Sequence, residues 1–152
     1  MRLEKHDEHC KSIVDRLESI VDGNVAICPE CGGWMYLDAD DSHTDPDDGE
    51  IIATCPECGT WHGIDELEEF AGLWDYLSDN LGVTFTVDEN IQYRSASIMV
   101  AFGGPNIYID TASGNVELYW WNETGRYPMR RYVVDEVDEW ASEYFDMCKW
   151  NN

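Results

Sequence analysis

The pentapeptide Cys-Pro-Glu-Cys-Gly occurs twice, as Cys28-Pro29-Glu30-Cys31-Gly32 and Cys55-Pro56-Glu57-Cys58-Gly59. Each copy sets two thiols two residues apart, with proline fixing the entry to the turn and glycine free to take the positive φ that closes it. Such a turn aims both sulfurs at one point. Two turns supply Cys28, Cys31, Cys55 and Cys58, the four thiolates of a tetrahedral structural Zn²⁺. The chain must then fold around that point, and the stretch between the cysteine pairs is expected to form a β-hairpin arm. A shell of four sulfurs has no open coordination position, so the centre predicts a scaffold and argues against metal catalysis.

Three other readings compete. A lone Cys-x-x-Cys can be a redox dithiol, but that motif is normally single and opens a helix, whereas here it is duplicated and each copy follows a short apolar strand. A disulfide framework needs an oxidising compartment. The polar start, Met1-Arg2-Leu3-Glu4-Lys5-His6, reads as a helix and not as a secretion signal, so the expectation is a soluble cytoplasmic chain. The first turn followed by Trp34-Met35-Tyr36 is somewhat similar to rubredoxin, which implies iron as the competing metal.

The net charge of −23 is the second constraint, and it is unevenly spread: no Lys or Arg occurs between Arg16 and Arg94. A surface that neutralises phosphates needs clustered cations, so direct nucleic-acid binding is excluded as the default role. The acidity favours instead a basic protein partner and steers its association. Adaptation to a high-salt cytoplasm is the competing explanation.

Apolar periodicity divides the chain into an N-terminal helix (1–23), a zinc ribbon (24–63) and an α+β domain (64–152). In the first, Cys10, Ile13, Val14, Leu17, Ile20 and Val21 form one helical stripe. In the ribbon, residues 38–50 make an acidic arm tip with Asp38, Asp40, Asp41, Asp45, Asp47, Asp48 and Glu50. After Gly63 a second helix is predicted, because Leu67, Phe70, Ala71, Trp74, Leu77 and Leu81 recur at helical spacing. Its opposite face would carry Asp65, Glu66, Glu68, Glu69, Asp75 and Asp79. The period then changes to two, predicting four antiparallel strands near 83–87, 95–102, 106–110 and 116–121, and a closing helix over 130–150. The fold class is α+β: an antiparallel sheet of about four strands flanked by helices, with an inserted zinc-ribbon module. No apolar run is long enough for a membrane span.

Other constellations are weaker. His6 and His9 lie one helical turn apart without metalloprotease spacing and read as a solvated helix face. His62 could donate to a sulfur. Gly103-Gly104-Pro105-Asn106 reads as a hairpin turn. Tyr119-Trp120-Trp121 reads as a strand whose aromatics pack against helices. No nucleophile stands beside a base, so the chain is expected not to be an enzyme.

Residues 102–145 run from Phe-Gly-Gly-Pro-Asn-Ile-Tyr-Ile-Asp-Thr through Val-Glu-Leu-Tyr-Trp-Trp to Val-Asp-Glu-Trp-Ala-Ser-Glu-Tyr-Phe. This stretch resembles a domain of small acidic proteins from prophages and conjugative elements. The resemblance implies a neighbourhood of anti-restriction and anti-CRISPR genes. The expected function is inhibition of a defence nuclease complex by acidic mimicry of nucleic acid, directed at a basic channel. The scale is suitable, since 23 charges correspond to roughly 40 Å of duplex. The alternatives are a zinc-ribbon adaptor that docks on a host nucleic-acid-processing protein and a halophile housekeeping protein.

Overall fold

The structure, a computed structural model, describes residues 4–37, 42–44 and 49–150. It is α+β, and the chain divides into two compact units, Met1–Glu18 with Leu73–Asn152, and Ser19–Gly72. Helix α1 (Lys5–Val21) begins in the first and ends in the second. These limits differ from the expected 1–23, 24–63 and 64–152, because the segment after Gly63 joins the cysteine-bearing unit.

In that unit, β1 (Val25–Ile27) pairs antiparallel with β2 (Trp34–Tyr36), and the first cysteine turn joins them. A three-stranded sheet of β3 (Ser42–Thr44), β4 (Ile51–Thr54) and β5 (Trp61–Gly63) carries the second turn between β4 and β5. Strand β3 falls inside the stretch read as a loop tip. Ala26, Met35, Ala53 and Leu67 bury themselves with Cys28 and Cys55.

The predicted second helix is not continuous. Ile64–Glu66 is one 3₁₀ turn, residues 67–71 are extended, and only Leu73–Leu77 (α2) is α-helical. The backbone explains the break: Ile27 N–H donates to Glu69 O at 2.9 Å and Ala71 N–H to Val25 O at 2.8 Å, around an antiparallel bridge between Ala26 and Phe70. Residues 69–71 thus satisfy the open side of β1, as buried backbone polar groups require. Leu67 belongs to this core and Leu77 to the other unit, so their helical spacing is coincidental.

The other unit is a five-stranded antiparallel meander of β6 (Gly82–Val87), β7 (Tyr93–Ala101), β8 (Asn106–Asp110), β9 (Asn115–Trp120) and β10 (Glu123–Pro128), in the order β10-β9-β8-β7-β6. Ala96, Ile98, Ile107, Ile109, Val116 and Leu118 are buried on one face. Helix α3 (Arg131–Trp150) contributes Val133, Val137, Trp140 and Ala141 to the core. Its Phe145 meets Phe85 of β6 edge-to-face and its Tyr144 lies tilted against the same ring, and Tyr93 donates to Asp138 at 2.5 Å.

Strand β10 was not expected, since Glu-Thr-Gly-Arg-Tyr-Pro has no apolar alternation and carries glycine and proline beside its Thr and Tyr. Gly125 lies across from Leu118, and a Cβ there would stand 2.5–2.9 Å from His6 atoms, main chain included. The glycine lets α1 cross β10 at backbone distance. Asp7 Oδ1 then accepts the Arg126 N–H at 2.9 Å, closing that sheet edge. Among the described residues no helix is long and apolar enough to cross a membrane.

Candidate metal centre

The two cysteine turns repeat each other bond for bond. Cys28 N–H donates to Gly33 O (2.7 Å) and Gly32 N–H to Cys28 O (2.9 Å), while Cys55 N–H donates to Thr60 O (2.8 Å) and Gly59 N–H to Cys55 O (2.9 Å). Gly32 and Gly59 take φ of +79° and +78°, as the turn demands. Cys28 and Cys55 are buried, whereas Cys31 and Cys58 reach solvent.

All four sulfurs lie within 4.8 Å of one another. Cys31 and Cys55 Sγ are 3.5 Å apart, and Cys28 and Cys58 Sγ 3.8 Å. A tetrahedron with metal–sulfur bonds of about 2.3 Å has edges of about 3.8 Å, so the cluster has the dimensions of a metal shell. Its electrostatics agree. The Cys31 N–H, assisted by the Glu30 N–H and the Thr60 hydroxyl, pulls the Cys28 thiol down to about 5. Hydrogen bonding from Thr60 also lowers Cys58. The Gly33 N–H (3.3 Å) draws Cys31 down as well, but the surrounding thiols prevail and push it up to about 12. Four sulfurs so close cannot all be thiolates until a cation sits between them, and a divalent metal meets that need.

The turns differ at one equivalent position. In the first, Gly33 leaves room, since a Cβ would meet Glu57 Cγ at 3.0 Å and Cys31 and Cys55 Sγ at 3.3 Å. In the second, Thr60 places its hydroxyl 2.9 Å from Cys58 Sγ and 3.7 Å from Cys28 Sγ. His62 Nε2 lies 3.3 Å from that hydroxyl and 4.0 Å from Cys28 Sγ, so it borders the cluster outside the four sulfurs. The sequence indicated His62; the part of Thr60 had no signal beyond its place two residues after Cys58.

The acidic residues fare differently. Asp38, Asp40, Asp41, Asp45, Asp47 and Asp48 lie outside the described residues. Glu50 is exposed just before β4, and its carboxylate abuts the position of a Gly63 Cβ. Asp65 and Glu66 occupy the 3₁₀ turn, with Glu68 and Glu69 on the extended run after it; all four are exposed but do not share a helical face. The aromatic triplet also departs from expectation. Tyr119 faces solvent on β9, and Trp121 stands 87 % exposed in the β9–β10 turn at φ +55°. A groove of about 680 Å³ beside β9 and β10 is lined by Asp7, Glu117, Tyr119 and Arg126, among others. Both Glu117 oxygens are engaged there, by Ser113 at 3.0 Å and by Tyr119 at 2.5 Å. Glu117 accordingly holds the Tyr119 proton, raising that phenol to about 12.

Comparison with family models, with curated proteins and with solved structures finds no match to the chain.

Proposed function

We propose that this chain is a zinc-stabilised, non-enzymatic binding protein of the anti-defence kind, which occupies the basic nucleic-acid channel of a nuclease complex. The observation that carries the reading is the charge distribution: a chain of net charge −23 has no cation from residue 17 to residue 93, a span that includes all four thiols. Such a surface repels phosphate and attracts the Lys- and Arg-rich channels that bind it. Zinc is the metal of choice because a shell of four cysteine sulfurs leaves no open position and suits a structural Zn²⁺; iron in the same shell would colour the protein. Its role would be to hold the strands bearing the acidic segments in fixed relation.

A second reading, a zinc-ribbon adaptor on a nucleic-acid-processing protein, draws support from Trp121. A bulky residue at positive φ is disfavoured by about 1–2 kcal/mol, yet its ring is displayed, 87 % exposed, with the neighbouring Trp120 ring edge-on at 5.8 Å. One experiment separates the readings. The tagged chain is used to capture partners from bacterial lysate at ~0.1 M salt, and the captured material is washed with excess duplex DNA. A nuclease or CRISPR-type effector released by the DNA is the expected result. A partner retained through the wash defeats mimicry and leaves the adaptor. Asn at Asp40, Asp41, Asp45, Asp47 and Asp48 together should abolish inhibition if the arm is the mimic.

A further inference from the structure

The two edges of the five-stranded sheet are treated in opposite ways. On β10 the outward Arg126 N–H is bonded by Asp7, beside the place where α1 crosses at Gly125, and Pro128 ends the strand. On β6, among the described residues, neither a side-chain acceptor nor a proline closes the edge. Its sequence, Gly-Val-Thr-Phe-Thr-Val, contains no charge and no proline, and among the described residues β7 is its one strand partner. Edge strands of soluble proteins are ordinarily blunted by lysine, proline, a bulge or a covering element. Here the only irregularity is the register shift at Thr86/Val87, at the far end of the strand.

The free hydrogen-bonding groups can be assigned. Ala96 on β7 directs its N–H to Thr111 Oγ1 (2.9 Å) and its C=O to the Thr111 N–H (3.0 Å), toward the β8 side. Antiparallel neighbours alternate between bonded and non-bonded pairs. Phe85, directly opposite Ala96, therefore points its own N–H and C=O away from the sheet, and by the same alternation so does Val83. The side chains alternate as well: Phe85 packs on α3, whereas Thr84 and Thr86 are exposed. Exposed apolar side chains stand before and after this strand in sequence, with Leu81 59 % and Ile91 63 % exposed. Ile91 is held outward at φ +58° in a turn organised by Asp88, whose Oδ1 accepts the Asn90 and Gln92 N–H groups.

We infer that β6 is an acceptor edge, to which an extended segment of a partner protein adds as a sixth strand, and that this segment carries Lys or Arg beside a β-prone core. Main-chain bonds from Val83 and Phe85 would supply affinity, and Leu81 and Ile91 would receive apolar side chains at the two ends. The charge of the segment follows from what borders the strand in sequence: Asp75 and Asp79 before it, Asp88 and Glu89 after it, with the first cation, Arg94, already bonded to Asp88 at 3.1 Å. A second copy of this chain would bring the same acids against themselves, so like-charge repulsion disfavours self-pairing. The basic character rests on the reading of a basic partner given above; the edge does not.

The test uses the full chain and a synthetic peptide, Lys-Lys-Thr-Val-Thr-Val-Thr-Lys-Lys, with a Glu-flanked peptide of the same core as control. Binding is read by titration, and amide exchange shows which N–H groups become protected. The lysine peptide should bind and slow exchange at Val83 and Phe85. Thr84→Lys, a solvent-facing change, should weaken binding at least about tenfold, whereas Thr84→Glu should hold it within about threefold, since each tenfold corresponds to only ~1.4 kcal/mol. Val83→Pro, which removes one outward donor, should abolish it. Lysine-peptide binding unaffected by either Thr84→Lys or Val83→Pro would overturn the acceptor edge while leaving an acidic binding surface intact. Equal binding of the Glu-flanked peptide would overturn the basic partner while leaving the edge. No binding of either peptide, or protection at Val83 and Phe85 that grows with protein concentration alone, would overturn the proposal.

Discussion

Gly125 is the residue on which the first helix depends. Its missing side chain admits the His6 main chain, whose carbonyl carbon would lie 2.7 Å from any Cβ. Gly125→Ala must push α1 off the sheet edge, and overpacking of this kind costs about 1–3 kcal/mol. The expected outcome is a lower denaturant midpoint with an unchanged slope; an unchanged midpoint would show that α1 shifts freely. Tyr93 bears on pH. Burial, followed by its bond to Asp138, raises the Tyr93 phenol above its ordinary value. A raised folded value means that its contribution is complete below about pH 10, the unfolded value, and is lost as pH rises further. Cys10, raised by burial to about 11, acts in the same direction. Thermal melts from pH 8 upward should therefore show an alkaline decline that is shallower in Tyr93→Phe.

Among the elements, the cysteine turns have the most to lose. They join short strands, of three or four residues each, that cannot hold a sheet on their own. With a metal bound by the four cysteines, its chelation should let amides of residues 19–72 exchange rapidly while those of β7 to β9 stay protected. Uniform loss of protection would show that the two units share one transition. These turns were legible in the sequence because proline, glycine and paired cysteines act locally and leave little choice of geometry. Helices α1 and α3 and strands β6 to β9 were legible because each buries one periodic stripe. What escaped did so because a distant element decided it. The run from Leu67 to Ala71 has helical spacing yet is drawn out along β1 by backbone bonds to Val25 and Ile27. Glu123–Pro128 has only Thr124 and Tyr127 as strand-favouring residues, between glycine and proline, and is a strand because β9 folds back beside it. Trp121 escaped for a different reason, since composition marks an indole for the interior and a hairpin turn holds it outside.

At the scale of the whole molecule the dominant quantity is charge. Thirty-two acids face nine Lys and Arg, so self-repulsion is only partly relieved by contacts such as Lys11–Asp15, Arg130–Glu18 and Arg131–Asp135. Screening weakens repulsion between exposed charges beyond a Debye length, which shrinks from about 10 Å at 0.1 M to about 3 Å at 1 M. The melting temperature should rise between these concentrations, and a fall would mean that the ion pairs outweigh the repulsion. The bond from Asp7 to Arg126 spans 119 positions, and that span sets an order of events during synthesis. Residues 19–72 leave the ribosome complete, thiols included, long before the strand that receives the N-terminal helix has been translated. A metal taken up by the four cysteines can thus be loaded on a nascent chain whose first helix is still waiting for its sheet, and the β9–β10 hairpin acts as a late clasp that fastens that helix.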